Sequence, residues 1–303
     1  MSQIAWRFPL DVVDTALTGV LNNSANEQAP SGETETLHEA MRYAVLNGGK
    51  RLRSLLVLES AAIVGGENFR VEAALPAACA LEFIHAYSLI HDDLPAMDNA
   101  DMRRGQPSCH RKYGEALAIL AGDALLTLAF EVLTQESELN STQLLSATQI
   151  IARAAGGSGM VGGQTIDIAW SDNGDANVTT ESLLQMHAMK TGALIRAACE
   201  AGAVLGGGTA RQIENLRDYG THLGRAFQIT DDLLDVSGDP RDTGKAATDA
   251  ANNKATAPAV LGLGRSRELA RSSSESAVDA LRQFGSEADA LRDLARSIVS
   301  RKS

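Results

Sequence analysis

Apolar residues recur every third or fourth position along almost the whole chain, and strict in–out alternation is scarce. That period excludes most β architectures and leaves helices that share a core. Ala, Leu, Glu, Arg and Gln dominate, and 7 prolines interrupt 303 residues. The period predicts helices over 9–22, 33–47, 51–64, 70–93, 113–135, 141–157, 159–169, 180–205, 210–236, 255–264, 267–283 and 286–300. Breaks are expected in the polar stretch 23–32, at Gly65-Gly66, at Gly206 to Gly208 and from Ser171 to Asn177. No composition shift or fixed-period repeat divides the chain. With 44% apolar residues it is long enough for a sizeable core, so residues 1–303 read as one all-α domain, a single large helical bundle.

Charge narrows the partners. Lys plus Arg is 27 and Asp plus Glu is 38, a net −11. Such a chain is a poor non-specific binder of nucleic acid or anionic membrane, because attraction to phosphate drives both contacts. An anionic ligand needs a local basic cluster or a metal. Cys79, Cys109 and Cys199 are too few and too scattered for a disulfide framework and read as small buried hydrophobes in a reducing cytosol. No leader pattern opens the sequence, and the most apolar window, Ala116 to Phe130, carries Asp123 and is shorter than the roughly 20 residues of a bilayer span. A cytoplasmic protein with no integral membrane segment is the expectation.

Two segments are chemically unusual: Asp92-Asp93-Leu94-Pro95-Ala96-Met97-Asp98 and Asp231-Asp232-Leu233-Leu234-Asp235, each following an apolar helix. Clustered carboxylates repel and are costly to desolvate unless a cation compensates. On a helix, Asp231 and Asp235 lie about 40° apart and one turn along, so both can address one ion. Asp92 and Asp98 would stand about 240° apart on an unbroken helix. Pro95 predicts a helix end near Leu94 and a loop returning Asp98 to Asp92. Oxygen donors without cysteine or paired histidine suit Mg²⁺, which fills its octahedron with water and phosphate oxygens.

Basic residues follow at matching places. Gly48-Gly49-Lys50-Arg51-Leu52-Arg53 opens a helix, where free N–H groups favour anions. Arg103-Arg104-Gly105 comes after the first acidic motif, Gly244-Lys245 and then Lys254 after the second. Lys190-Thr191-Gly192 sits within a helix, and Gln228 lies one turn before Asp231. Each alone reads as a surface charge; together they imply two polyphosphate sites, one bridged by metal and one held by side chains.

The stretch from Glu82 to Gly105 resembles the first aspartate-rich motif of the trans-isoprenyl diphosphate synthases, in the form with a two-residue insertion found in bacterial farnesyl diphosphate synthases. Phe227 to Asp235 resembles the second motif, and Gly49 to Arg53, Gly162-Gly163-Gln164 with Asp167, Lys190-Thr191 and Gly244-Lys245 agree in order and spacing. The likeness spans about Glu39 to Leu263. It implies the isoprenoid synthase bundle with a central reaction cavity, commonly homodimeric, and a chain-elongating prenyltransferase using several Mg²⁺ ions. Asp92, Asp98 and Asp231, supported by Asp235, would be the metal ligands. Arg103, Lys190, Thr191, Gln228 and Lys245 would hold an allylic diphosphate, and Lys50, Arg53, His85 and Arg104 isopentenyl diphosphate. Asp92, Asp98, Asp231, Arg103 and Lys190 form the implied catalytic set. Ser54 replaces a usual Pro, Asn99-Ala100 two frequent aspartates, Ala257 a usual Tyr and Ala247 a frequent Gly. None of these is a ligand in the pattern.

Product length is expected to depend on residues beneath the first motif. Ser88 is one turn back from Asp92, about 6 Å down and about 40° round; Tyr87 is about 140° round. Geometry leaves Tyr87 open between an ordinary core tyrosine and a cavity floor. The resemblance favours the floor and a fifteen-carbon product, with a twenty-carbon, geranylgeranyl product as the alternative. Outside the family, Glu35/His38 and Glu82/His85 have the i, i+3 spacing of a di-iron bundle, a reading that leaves both acidic motifs unexplained. A terpene cyclase would lack the Lys50 to Arg53 run, and an inactive partner subunit would have lost metal ligands. Gly156 to Gly163 reads as close helix packing, since no strand precedes it and no Lys-Ser/Thr follows. His91, His110, His187 and His222 read as structural.

Overall fold

The computed structural model describes residues 4–26, 34–135, 139–173, 178–237 and 255–300. Helices α1 (Leu10–Asn26), α2 (Glu35–Leu46), α3 (Leu52–Gly65) and α4 (Leu75–Asp92) come first. A two-stranded hairpin, β1 (Met102–Arg103) and β2 (Gln106–Pro107), leads to α5 (Cys109–Tyr113), α6 (Glu115–Leu133), α7 (Ser141–Ala155) and α8 (Met160–Asn173). Then follow α9 (Thr180–His187), a π-helical turn (Ala188–Gly192), α10 (Ala193–Leu205) and α11 (Ala210–Ser237). The remaining described helices are α12 (Ala257–Leu261), α13 (Leu263–Ala280) and α14 (Asp289–Ser300). Lys245 and Lys254 lie outside the described residues.

The all-α expectation holds, and burial explains the arrangement. α3 and α4 are apolar on nearly every side, so both are enclosed. α4 packs on α6 and α3, and α10 packs on α3, α7 and α11. Their facing residues, among them Leu56, Leu81, Phe83, Leu125, Leu194 and Leu223, form one continuous core. Gly202 permits the α3–α10 crossing, because a Cβ there would stand 2.3 Å from the Val57 carbonyl oxygen. A smaller apolar cluster, Leu183, Met186, Ile229, Ala257 and Ala270, ties α9 and α11 to the C-terminal helices.

Several boundaries differ from the sequence reading. α4 starts at Leu75, with Pro76 in its first turn, after two short 3₁₀ turns. It ends at Asp92, two residues earlier than Pro95 alone demands. Gly114 (φ 87°) separates α5 from α6, and Gly262 (φ 80°) sets the break between α12 and α13. The helix 180–205 is interrupted by the π turn, α8 runs on to Asn173 instead of giving way to a loop at Ser171, and α1 continues to Asn26. α6 is longer than its apolar window: at 19 residues and mean hydropathy 2.0 it is the one described helix long and apolar enough to cross a membrane. Here Ala118, Ala121, Leu125 and Ala129 are buried, against α4 and α2.

Candidate active site

The site begins where α4 leaves the core. Leu94 precedes a proline, which disfavours continuing the helix, and the chain turns back. The Asp98 amide donates to the Asp92 carbonyl at 2.8 Å, and the Asn99 amide to Leu94 O at 3.0 Å. Asn99 takes φ 48°, a left-handed conformation that asparagine tolerates well. Asp98 is thereby returned beside Asp92.

The neighbouring aspartate has a different task. Asp93 is 2% exposed, and Arg103 Nε reaches both of its oxygens at 3.1 Å, with Nη2 bonded as well. Burial opposes the Arg103 charge, but Asp93, Asp92 and Asp98 together hold its pKa above the ordinary value. Arg104 and Gly105 are the two central residues of the hairpin, at φ 52° and 76°, the pattern of a type I′ turn. Tyr43 Oη donates to Pro107 O at 2.7 Å and fixes the hairpin to α2. The Arg104 guanidinium lies against Gly49, where a Cβ would approach Nη1 to 3.0 Å, and donates to the Gly48 carbonyl.

That contact joins the two basic runs. Arg51 is buried and serves structure, bonding Asp14 at 2.8 Å and facing Glu82 at 3.8 Å. Ser54, where the resemblance expects proline, donates its hydroxyl to Ala78 O at 2.8 Å. Lys50 is exposed. Arg53 is half-buried, its Nε has no partner among the described residues, and burial lowers its pKa, with Arg104 adding to the effect and Glu82 and Asp231 opposing it. His85 lies within the field of Arg53, Arg104, Arg103 and Arg51; burial first, then these cations, push its pKa well below 6.5. Glu82 is thus committed to arginines, and His38 Nδ1 to Thr34 O at 2.9 Å, so neither Glu-x-x-His pair is arranged as a di-iron site.

The second acidic motif is tied in by a relay. Thr191 Oγ1 donates to Gln228 Oε1 (2.6 Å), Gln228 Nε2 to Asp232 Oδ1 (2.9 Å), and the Ala257 amide to Asp232 Oδ2 (2.7 Å). Asp232 is therefore a buried anchor, while Asp231 is half-buried and Asp235 exposed. Lys190 Nζ bonds Asp167 Oδ2 at 2.5 Å. The π turn carrying Lys190 packs against α8 at Gly163, where a Cβ would be 2.3 Å from the Lys190 nitrogen. Single π turns often mark functional positions.

Arg53, His85, Tyr87, Ser88, His91, Asp92, Lys190 and Thr191 line one cavity of about 330 Å³, with Met160, Val161 and Ile168 as apolar lining. Tyr87 is 7% exposed, its hydroxyl pKa raised by burial and by Asp92. His91, read from sequence as structural, is part of this wall. A larger cleft of about 580 Å³ between Gly65, Phe69, Arg70, Leu139 and Leu205 gathers no such set of cations and carboxylates.

Half-buried His85 and buried His187 give this region a pH dependence. His187 is 3.5 Å from Asp232, yet burial holds its pKa down to about 4, so the pair is not ionic at neutral pH. In the unfolded chain both His85 and His187 titrate near 6.5. As pH falls below that value the unfolded state takes up more protons and stability is lost, down to about pH 4 for His187. Denaturant unfolding between about pH 7 and pH 5 should show this loss, and His187→Gln should reduce it. Equal slopes in both proteins would refute the assignment.

Residues 34–294 match the Polyprenyl synthetase family. The heterodimeric geranylgeranyl pyrophosphate synthase large subunit 2 of Arabidopsis thaliana is 42% identical over 289 residues, 95% of this chain and 76% of that protein. A solved FPP/GFPP synthase of Zymomonas mobilis in its apo form is 40% identical with TM-score 0.82, covering 95% of this chain and 98% of that one. The geranylgeranyl pyrophosphate synthetase of Pyrococcus horikoshii gives TM-score 0.85 at 29% identity, covering 97% and 96%. Together with the all-helical fold, these matches establish that the chain belongs to the polyprenyl synthetase family of prenyltransferases.

Proposed function

We propose that the protein condenses dimethylallyl or geranyl diphosphate with isopentenyl diphosphate and releases mainly fifteen-carbon farnesyl diphosphate. One observation carries this reading. Arg53, with an unsatisfied guanidinium nitrogen, and Lys190 line the same cavity as Asp92, and Arg104 adds positive charge beside Arg53. Two anions of opposite requirement can therefore be held side by side.

Among the described residues, no three histidine, cysteine or acidic side chains close on a single point. Mg²⁺ takes one or two carboxylates and completes its shell with phosphate oxygens and water, so the oxygen-only donors of the two acidic motifs suit it. Asp92 with Asp98, and Asp231 with Asp235, are the residues to hold it. Bound there, Mg²⁺ would neutralise charge on the departing diphosphate.

The chain's own part is positioning. Arg103, Lys190, Thr191 and Gln228, with Lys245, receive the allylic diphosphate; Lys50, Arg53 and Arg104 hold isopentenyl diphosphate beside it. Neutral His85 donates a hydrogen bond without competing for a proton. Cations that bind the leaving group most strongly as its charge grows lower the barrier selectively. Met160 and Ile168 give the allylic cation apolar surroundings while the isopentenyl double bond attacks. The departing diphosphate is the base for the final proton.

Buried Tyr87, with Ser88 beside it, favours fifteen carbons as the wall that stops elongation. The geranylgeranyl synthase names among the relatives favour twenty carbons as the second reading. The same proposal has the enzyme acting in the cytoplasm as a homodimer, for which α6 offers outward Ile119 and Leu120, 44% and 55% exposed.

Labelled isopentenyl diphosphate supplied with each primer and Mg²⁺ decides the matter. A dephosphorylated fifteen-carbon alcohol is expected, with none formed in excess chelator. A twenty-carbon product would move the assignment to the second reading; no incorporation with any primer would refute it.

A further inference from the structure

α6 lies against α4 at Gly122, and a Cβ there would stand 2.1 Å from His91 Nε2 and 2.6 Å from its Cδ2. The His91 imidazole therefore occupies the space a side chain on α6 would fill. Its Nε2 is 3.1 Å from the Ile119 carbonyl oxygen, which only accepts, so Nε2 carries the proton. One turn back on the same helix face, the Tyr87 ring meets the His91 ring edge to face, centroids 5.7 Å apart at 78°. Both rings line the cavity. The α6 backbone thus backs His91, and His91 backs Tyr87.

We propose that His91, seated in the notch left by Gly122, is a positioning residue that fixes the Tyr87 ring and so sets where chain elongation stops. This rests on the reading of Tyr87 as the wall. The imidazole needs neither charge nor contact with the diphosphates to do this; it acts by filling the gap between a rigid helix and a movable ring. Emptying the gap frees the tyrosine to retreat and lengthens the cavity. Filling the notch from the α6 side drives the imidazole off α6 into the cavity and shortens it. The two substitutions therefore act in opposite directions through one side chain.

The test is the ratio of products longer than fifteen carbons to the fifteen-carbon product, for wild type, His91→Ala, His91→Gln, Gly122→Ala, the His91→Ala/Gly122→Ala double variant and Tyr87→Ala. Loss of one edge-to-face contact predicts a rise of about two- to tenfold in His91→Ala. His91→Gln, which keeps a donor near the Nε2 position but no ring, should rise similarly. Gly122→Ala should lower the ratio and accumulate ten-carbon product, and the double variant should match His91→Ala. Folded, active His91 variants with the wild-type ratio would overturn the proposal, as would Gly122→Ala acting equally in both backgrounds. If Gly122→Ala does not purify folded, the two His91 variants decide alone. A shift in Tyr87→Ala without one in the His91 variants defeats this proposal and leaves the wall standing, whereas an unchanged Tyr87→Ala profile defeats the wall itself.

Discussion

Asp92→Ala or Asp231→Ala is expected to lower kcat by at least about 10²–10³, the range seen when a preorganised stabiliser of transition-state charge is removed. The two residues stand on different helices, α4 and α11, and both are half-buried beside buried neighbours. Asp93 and Asp232, at 2% and 5% exposure, are bonded to Arg103 and to Gln228 with the Ala257 amide. Replacing either of these should instead reduce stability: loss of Asp93 strands the Arg103 charge, about 3–5 kcal/mol when such a pair is buried, and loss of Asp232 leaves the Gln228 and Ala257 donors unsatisfied, about 1–3 kcal/mol. Within each Asp-Asp pair, then, one substitution lowers turnover in a folded protein and the other lowers the unfolding midpoint. Circular dichroism melts beside initial rates separate them. A helical Asp92→Ala enzyme turning over near the wild-type rate would refute the metal-clamp reading, as would full activity in chelator.

Arg53→Ala should raise KM for isopentenyl diphosphate roughly ten- to hundredfold, about 1.5–3 kcal/mol for one charge-assisted contact. Arg53 is the strongest candidate because it is half-buried in a cationic neighbourhood with an unsatisfied Nε. An arriving diphosphate supplies the acceptor that Nε lacks and adds negative charge to that already provided by Glu82 and Asp231. Exposed Lys50 should contribute in the same direction but less, because water screens it. Lys245→Ala should fall chiefly on the allylic substrate. Varying each substrate in turn distinguishes the two; equal changes in both KM values for every variant would argue for a single shared anion site.

Much of the bundle was legible because helical period is a local signal that survives packing. The body of α4 was readable from its apolar run and its end to within two residues from Pro95, while its start was not. The loop that returns Asp98 followed from the impossibility of convergence on a straight helix. Other features depend on partners distant in sequence. The π turn at Ala188–Gly192 lies where α8 approaches through Gly163, and no residue within the turn announces it. The hairpin is two residues per strand, too short for alternation to register. Asp93 could have been separated from Asp92 by angle alone, since about 100° of helix turns consecutive side chains to different surroundings. His91 gave no such signal. Its place depends on a glycine 31 positions away that reads, in sequence, as any small residue of an apolar helix.

The Arg104-Gly105 turn has an evolutionary implication. A type I′ turn favours asparagine or glycine at its first central position, and an arginine held at φ 52° carries backbone strain of about 1–3 kcal/mol. Selection for thermal tolerance alone therefore pulls position 104 away from arginine, towards residues that relax the turn and discard the guanidinium over Gly48-Gly49. Stabilised libraries of this chain should lose that cation early unless turnover is screened alongside. An ancestor reconstructed with asparagine there would be a sturdier protein with a weaker grip on its anion.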